Sequence, residues 1–346
     1  MPPSLARTEE HPLLQASPDT VVWGAIAPDK PPVLRIEPGS AVRIETISQQ
    51  PLNYQDPVSF FGAAGIPAAE VLPDVIAIHR DVPKTPPGGP HVLTGPIYIE
   101  GAERGDMLEV RILDVAFRVP YGINAAAGGS GVLPELLTER VAQVIRLDLA
   151  RNVAIFSDQI EVALAPFMGI MAVAPPPERG AVSTRPPAEW GGNLDFRHLV
   201  AGATFYLPVF NPGALFYTGD GHAVQGDGEV NGTAIEISLA PTLQFFLHKG
   251  EGRTMRWPRA ADAANHYVMG MDANLDTALQ EAVAEAVRFL EREARITAAQ
   301  AYALASITVD FRIGEAVNAT KMVYGVIPRK LLQGVDAMAA AVPETP

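Results

Sequence analysis

Short stretches of alternating apolar and polar residues, set apart by proline and glycine, run through the first 260 residues of this chain. A period of two is typical of strands that bury one face, and the punctuation by proline and glycine indicates tight turns. The stretches that we predict as strands are VVWGAIAP, AVRIETI, IYIEG, MLEVRILDV, TFYLPVF, ALFYTG, TAIEISLA and QFFLHKG. The sequence therefore predicts a mainly β architecture.

The pattern changes near Met271, where the apolar positions take on helical spacing. One helical face is predicted from Leu275, Leu279, Ala282, Val283, Ala286 and Leu290. A second helix is expected to begin at Thr297, because Gln300 stands three residues after that hydroxyl and completes a capping box. We predict a β-rich body over residues 1–270, a helix-helix-strand segment over 271–334 packed on the body, and a frayed tail over 335–346.

Composition excludes several classes of chemistry. The chain has 346 residues, 48% of them hydrophobic, so it can bury a large core. It contains no cysteine, which excludes disulfides, cysteine-ligated metals and thiolate nucleophiles. Any nucleophile must then be an oxygen or nitrogen group, or water.

The net charge of −13 bears on partners. It repels nucleic acid and anionic membrane surfaces, so we expect neither as a partner. No run approaches the ~18 apolar residues of a membrane span, and the N-terminus lacks a signal-peptide pattern, so we expect a cytoplasmic protein. Only 19% of residues are charged, which favours a homo-oligomer, a dimer or higher, that covers part of the surface.

The densest polar cluster lies between Trp190 and Glu236. Asp220 and His222 are two apart in an extended segment, so both side chains point to one face. Flanking glycines let the backbone approach closely. Hard oxygen ligands with an imidazole suit zinc or another divalent cation. The competing interpretation, Asp220 as a turn residue and His222 as a core histidine, is weakened by the nearby Asp195, Gln225 and Glu229.

A second polar cluster begins at His91. Glu100 follows an alternating strand, where it is placed either as a general base in a cleft or as a solvated carboxylate. The residues leave both readings open.

Taken in order along the chain, five segments resemble the acetamidase/formamidase family. They are HVLTGPIYIEGAERGDMLEVRILDV, PFMGIMAVAPP, GGNLDFRHL, YLPVFNPGALFYTGDGHAVQGDGEVNGTAIE and AYALASITVDFRI. The resemblance implies jelly-roll-like β-sandwich or barrel parts with a helical C-terminal segment. It also implies hydrolysis of short linear amides to carboxylate and ammonia, with a divalent metal.

The resemblance carries site residues over by position. As metal ligands it implies Asp195, Asp220 and His222, with zinc first and calcium second as the ion; as catalytic groups His91, Glu100, Gln225 and Glu229; and as substrate-binding groups Gly192 and Asn193. The hypothesis is that Glu100 or Glu229 takes the proton of a metal-bound water that attacks a small neutral amide. The segment ETISQQ around Thr46 departs from the family by lacking an acidic residue after ET.

Two other classes of function stay open at this point. A cupin-like metal protein, such as an oxygenase, fits the G-x-H pattern but lacks an HxH pair. A non-catalytic ligand-binding β-sandwich would use the carboxylates only to fix loops.

Overall fold

A computed structural model of the chain describes residues 11–53 and 55–333, so the predicted tail over 335–346 lies outside the described residues. The strands of the first half are β1 (Leu13–Leu14), β2 (Val21–Trp23), β3 (Ala25–Ile26), β4 (Leu34–Ile36), β5 (Ala41–Ile44), β6 (Val92–Ile99), β7 (Met107–Phe117), β8 (Tyr121–Ala126), β9 (Val141–Asp148), β10 (Val153–Ser157), β11 (Ile160–Ala163) and β12 (Phe167–Ala172). Two short helices, α1 (Pro57–Ala63) and α2 (Pro73–Asp81), interrupt this series.

The second half adds further strands and the two long helices. Its strands are β13 (Val182–Ser183), β14 (Gly191–Asn193), β15 (Thr204–Pro208), β16 (Phe216–His222), β17 (Leu239–His248), β18 (Arg259–Ala261), β19 (Asn265–Asp272), β20 (Asp310–Glu315) and β21 (Lys321–Pro328), and its helices are α3 (Leu275–Ala294) and α4 (Ala298–Thr308). The prediction of a mainly β fold with C-terminal helices is confirmed. Within the described ranges, no helix combines the length and apolarity needed to cross a bilayer.

Two large sheets, mostly antiparallel, form the body. One has nine strands in the order β1-β5-β17-β7-β15-β18-β19-β21-β20, and the other has six, β14-β12-β16-β6-β2 with β4 beside β6. A four-stranded sheet runs β11-β10-β9-β8, and β13 pairs with β3. Phe216 of the six-stranded sheet and Phe245 of the nine-stranded sheet meet edge to face, with ring centroids 5.0 Å apart. Buried side chains from both sheets thus share one core.

Seven of the eight predicted strand segments lie largely within strands, and TAIEISLA is the exception. Only its last two residues enter β17. Glu236 instead makes isolated bridges to Ile123 and His222. Alternation in this segment predicted a strand, but its carboxylate turns inward beside the polar cluster of β16.

The C-terminal helices pack on the large sheet. The predicted capping box is confirmed: Thr297 Oγ1 accepts from Gln300 N, and Thr297 N donates to Gln300 Oε1. The predicted boundary between residues 270 and 271 falls inside β19, which pairs along its whole length with β21. The helical segment is therefore continuous with the nine-stranded sheet.

Candidate active site

Three neighbouring strands of the six-stranded sheet bring the central polar residues together. Asp220 and His222 lie on β16, which pairs with β12, and β14 on the far side of β12 leads directly into Asp195. All three side chains are at most 3% exposed. Asp195 and Asp220 line a cavity of about 160 Å³ whose other acidic and imidazole lining residues are His91, Glu229 and Glu236. His222 lies behind this lining, in contact with three of these carboxylates.

Gly169 of β12 makes room for the cluster. A Cβ atom at this position would lie 2.6 Å from Asp195 Oδ1, 2.9 Å from Asp220 Oδ2 and 2.9 Å from His222 Cε1. The three groups therefore converge on one point, and only glycine leaves that point free.

His222 Nε2 is the centre of the carboxylate arrangement. It lies 3.2 Å from Glu236 Oε1, 3.5 Å from Asp220 Oδ2 and 4.0 Å from Glu229 Oε1. These carboxylates and burial shift the pKa of the His222 imidazole in opposite directions. Burial lowers the pKa of His222, but the negative charges of Glu236 and Asp220 outweigh it and hold the pKa well above its usual range.

The second imidazole, His91, lies beside Asp220. Its Nδ1 lies 3.1 Å from the backbone oxygen of Thr184 and 3.1 Å from Thr184 Oγ1. Because a carbonyl oxygen only accepts, we infer that Nδ1 carries the proton. Nε2 then presents a lone pair, 3.8 Å from Asp220 Oδ2. Burial lowers the pKa of His91, which favours this neutral form.

The backbone at three of the carboxylates is left-handed. Asp195, Asp220 and Glu229 have φ of 47°, 58° and 45°, a region that residues other than glycine rarely adopt. Such strain persists where surrounding structure enforces it, and it concentrates at functional sites.

Crowding of buried carboxylates raises several pKa values. Burial and then the neighbouring Glu229 and Glu315 hold the pKa of Asp195 well above its usual range. Burial likewise raises the pKa of Glu229, and it raises the pKa of Glu236 to about 7 against the opposing charge of His222. Like charges this close cannot all ionise without a compensating positive charge.

The donor set fits such a cation. Two groups of three residues each offer ligand atoms that lie within 4.8 Å of one another. The first group is Asp195, His222 and Glu229, and the second is Asp220, His222 and Glu236. Within the described chain, Asp195 Oδ1 and both ring nitrogens of His222 are buried without a hydrogen-bond partner. Buried polar atoms are normally paired, so these atoms are free to bind a ligand. Carboxylate oxygen with imidazole nitrogen is a set that zinc and similar divalent ions accept.

The structure brings most of the predicted site residues together, but not Glu100. Asn193 lines the cavity. Gln225 Nε2 donates to the backbone oxygen of Asp195 at 2.7 Å, so it supports the loop from behind. Gly192 does not line the cavity; its backbone pairs with Met171 in the sheet.

Glu100 requires a correction. Its carboxylate accepts from Arg35 Nε at 2.7 Å on the outer surface, and it does not line the cavity. The strand β6 ends at Ile99, past the stretch that faces the site, so Glu100 is the solvated strand-end carboxylate of the alternative reading.

Sequence reasoning missed several polar residues of the site. Gln49 Nε2 donates to Asp220 Oδ1 at 2.5 Å and to Glu236 Oε2 at 3.3 Å. Asn318 Nδ2 donates to Asp195 Oδ2 at 3.2 Å, and Glu315 is fully buried beside it. Gln49 lies in the divergent ETISQQ segment, which was a usable signal. No local sequence pattern indicated Glu315, at the end of β20, or Asn318, in the loop between β20 and β21.

Comparison with known proteins gives a family match over most of the chain. The sequence profile described as the Acetamidase/Formamidase family matches residues 78–179 and 177–333. Both parts of the candidate site, the β16 cluster and the β20 end with Glu315, fall inside the matched ranges.

Individual relatives agree with this match. An acetamidase of Mycolicibacterium smegmatis is 27% identical over 64% of this chain and 65% of its own length. A putative formamidase of Schizosaccharomyces pombe is 30% identical over 46% of this chain and 52% of its own length. The aligned part thus spans less than two thirds of either protein. The crystal structure of an acetamidase from Bacillus halodurans superimposes with a TM-score of 0.77 at 25% identity, covering 93% of this chain and 99% of that one.

Proposed function

The chain belongs to the acetamidase/formamidase family, and on this premise we propose that it hydrolyses short linear amides to a carboxylate and ammonia. The observation that carries the proposal is a cavity of about 160 Å³ lined by four buried carboxylates and the His91 imidazole, with His222 behind this lining in contact with three of the carboxylates. A cavity of this size suits a small planar substrate, and the absence of cysteine leaves water as the natural nucleophile.

We propose that Asp195, Asp220 and His222 hold a divalent cation, with zinc favoured by the mixture of carboxylate and imidazole donors. The unpartnered atoms of Asp195 and His222 support this assignment. When bound, such an ion polarises a carbonyl and lowers the pKa of water. His91 Nε2, whose lone pair lies 3.8 Å from Asp220 Oδ2 in the same cavity, is a further candidate ligand.

The remaining carboxylates supply the base. Glu236 has a pKa raised to about 7, so near neutral pH it is present in both protonated and ionised forms. A group with a pKa near the working pH accepts a proton from water and returns it to departing ammonia most efficiently. Glu229 lines the same cavity and is the second candidate, whereas Glu100 is excluded by its position.

Side-chain amides orient the substrate. Asn193 Oδ1 is buried without a partner at the cavity wall and accepts well from an amide N–H. Gln49 holds Asp220 and Glu236 in place through its two donor contacts. The reacting groups are thus fixed before substrate arrives, which lowers the cost of orientation.

Ammonia release from formamide and acetamide tests this proposal. Wild-type protein should release ammonia, and Glu236→Gln or Glu229→Gln should lower kcat by ~10²-fold or more, because the amide cannot accept the proton. Glu100→Gln, a carboxylate outside the cavity, is the matched control and should keep full activity. Full activity in both cavity variants would remove the assignment of the base. Oxygen uptake, or binding without turnover, would favour the oxygenase or the binding protein instead.

A further inference from the structure

A single arginine stands at the rim of the acidic cavity. Among the described residues that line it, Arg185 is the only lysine or arginine. Arg185 is exposed and follows the buried Thr184, which positions His91. Within the described chain Arg185 makes no ion pair with a carboxylate, although most other arginines do. The guanidinium is therefore free to bind a ligand at the cavity mouth.

A second cation lies on the same side. Lys84 Nζ donates to Asn53 Oδ1 at 3.2 Å, and Asn53 lines the cavity. Burial lowers the pKa of Lys84, and the charge of Arg185 lowers it further. Neither has an acidic partner in the described ranges. Two unpaired like charges side by side disfavour each other unless an anion binds between them.

The cavity also has more room than the smallest amides need. Formamide has three heavy atoms and acetamide has four, whereas a cavity of about 160 Å³ admits several groups of the size of water, each occupying about 30 Å³. Charge is divided across the lining of this space: the carboxylates are buried, whereas Arg185 is exposed, and Lys84 bonds to the lining residue Asn53. The space therefore suits an elongated ligand with a neutral end and an anionic end.

Resting on the proposed function, we infer that the preferred substrate is an amide whose far end carries a carboxylate, such as the monoamide of a short dicarboxylic acid. Arg185 and Lys84 bind that carboxylate, and the carboxamide lies beside Asp220 and Glu236. Arg185, the only lysine or arginine among the described lining residues, is exposed at the cavity mouth, so the orientation that brings the substrate carboxylate to it is favoured. Binding energy at the far end then serves to position the reacting amide.

The experiment compares the monoamide and the diamide of propanedioic acid, which have nearly the same shape and differ in charge. Ammonia release gives kcat/KM for each with wild type, Arg185→Gln, Lys84→Gln and Arg312→Gln. Arg312 is an exposed arginine on β20 beside Asp310, so it controls for the loss of one positive charge. Wild type should prefer the monoamide by about tenfold, the size of one charge-assisted contact. Both rim variants should reduce this ratio toward one, the control should not, and added salt should lower the ratio.

The outcomes distinguish failure of this substrate preference from failure of the proposed amide hydrolysis. Hydrolysis of acetamide with no preference for the monoamide overturns this inference while the proposed function stands. A preference that persists in both rim variants overturns it too, because the anion is then held elsewhere. If no amide releases ammonia, the proposed function itself fails, and this inference fails with it.

Discussion

At the scale of single residues, Gly169 sets the spacing of the site residues Asp195, Asp220 and His222. Asp195, Asp220 and His222 approach the same point from β14, β16 and their connecting loops, and a glycine on β12 leaves that point empty. The left-handed backbone of two of these residues turns their carboxylates inward. Small displacements at such a point change both ligand geometry and substrate position.

Gly169→Ala should therefore lower kcat/KM by ~10²-fold, because the added methyl group pushes the carboxylates apart. Far-ultraviolet circular dichroism and a thermal melt check that the fold is kept. Gly62→Ala is the matched control, since a Cβ atom there meets nothing within 4 Å. Wild-type activity in Gly169→Ala would mean that the convergence point is not where the reaction takes place.

The spacing of GDGH predicted the heart of this site, because a period of two puts Asp220 and His222 on one face of any strand. Glu229 and Asp195 followed from their closeness in sequence. Gln49 and Glu315 come from distant segments, and Glu236 lies in a segment whose alternation predicted a strand, so only tertiary structure brings these three residues to the site. The prediction of Glu100 as a general base could not be made safely from sequence, because the end of a strand does not reveal which end of the sheet it occupies.

At the scale of elements, α3 lies directly against β19. A Cβ atom at Gly270 would collide with the backbone of Ala282 and Ala278 on α3. The buried residues of the helix include three alanines at a spacing of four, Ala278, Ala282 and Ala286. Such close contact between a strand and a helix tolerates no extra volume, because interiors are packed like crystals.

Gly270→Ala should destabilise the protein by at least about 1–3 kcal/mol through overpacking. Urea unfolding followed by tryptophan fluorescence measures this change, again with Gly62→Ala as control, for which we expect a change within about 0.5 kcal/mol. Equal midpoints for the two variants would show that α3 does not sit on β19 as described.

Helix positions were predictable from sequence to different degrees. The Thr297 capping box is purely local, and its prediction is confirmed. Of the predicted face of α3, Ala282, Ala286 and Leu290 are buried, but Leu279 is 40% exposed while its neighbour Ala278 is fully buried. Hydrophobicity favoured the larger side chain, but the approach of β19 requires the smaller one.

At the scale of the whole molecule, the buried carboxylates couple stability to pH and, if the proposed function holds, to a bound cation. The pKa values of Asp195, Glu229 and Glu236 are raised in the folded state, so folding retains protons that the unfolded chain releases. Their stabilising contribution is present below the unfolded pKa and is lost as pH rises through the folded pKa, about 7 for Glu236. Asp220, whose pKa is lowered despite burial by interaction with the His91 and His222 imidazoles, acts in the opposite direction.

Cation-free protein should therefore have a higher Tm near pH 5 than near pH 8 as far as this cluster decides, and added Zn²⁺ should raise the Tm mainly at the higher pH. Scanning calorimetry at both pH values, with and without the ion, measures this. The double variant Asp195→Asn with Glu229→Gln should reduce both effects. An equal effect of Zn²⁺ in that variant would place the ion elsewhere.

Fold class followed from the alternating pattern, since strand periodicity and turn residues act locally. Sheet order did not, because β19 and β21 of the C-terminal segment extend a sheet begun by β1 and β5. The expectations of a cytoplasmic location and a homo-oligomer stay predictions, since a single chain tests neither.

Metal dependence of amide hydrolysis shows whether the carboxylate and imidazole cluster works through a bound cation. Purified protein would be stripped with a chelator, reloaded stepwise with Zn²⁺, and assayed for ammonia release from acetamide at each step, with His222→Ala in parallel. We expect activity to vanish on stripping, to return in proportion to bound ion, and to stay absent in the variant. Undiminished ammonia release from metal-free protein would contradict the account.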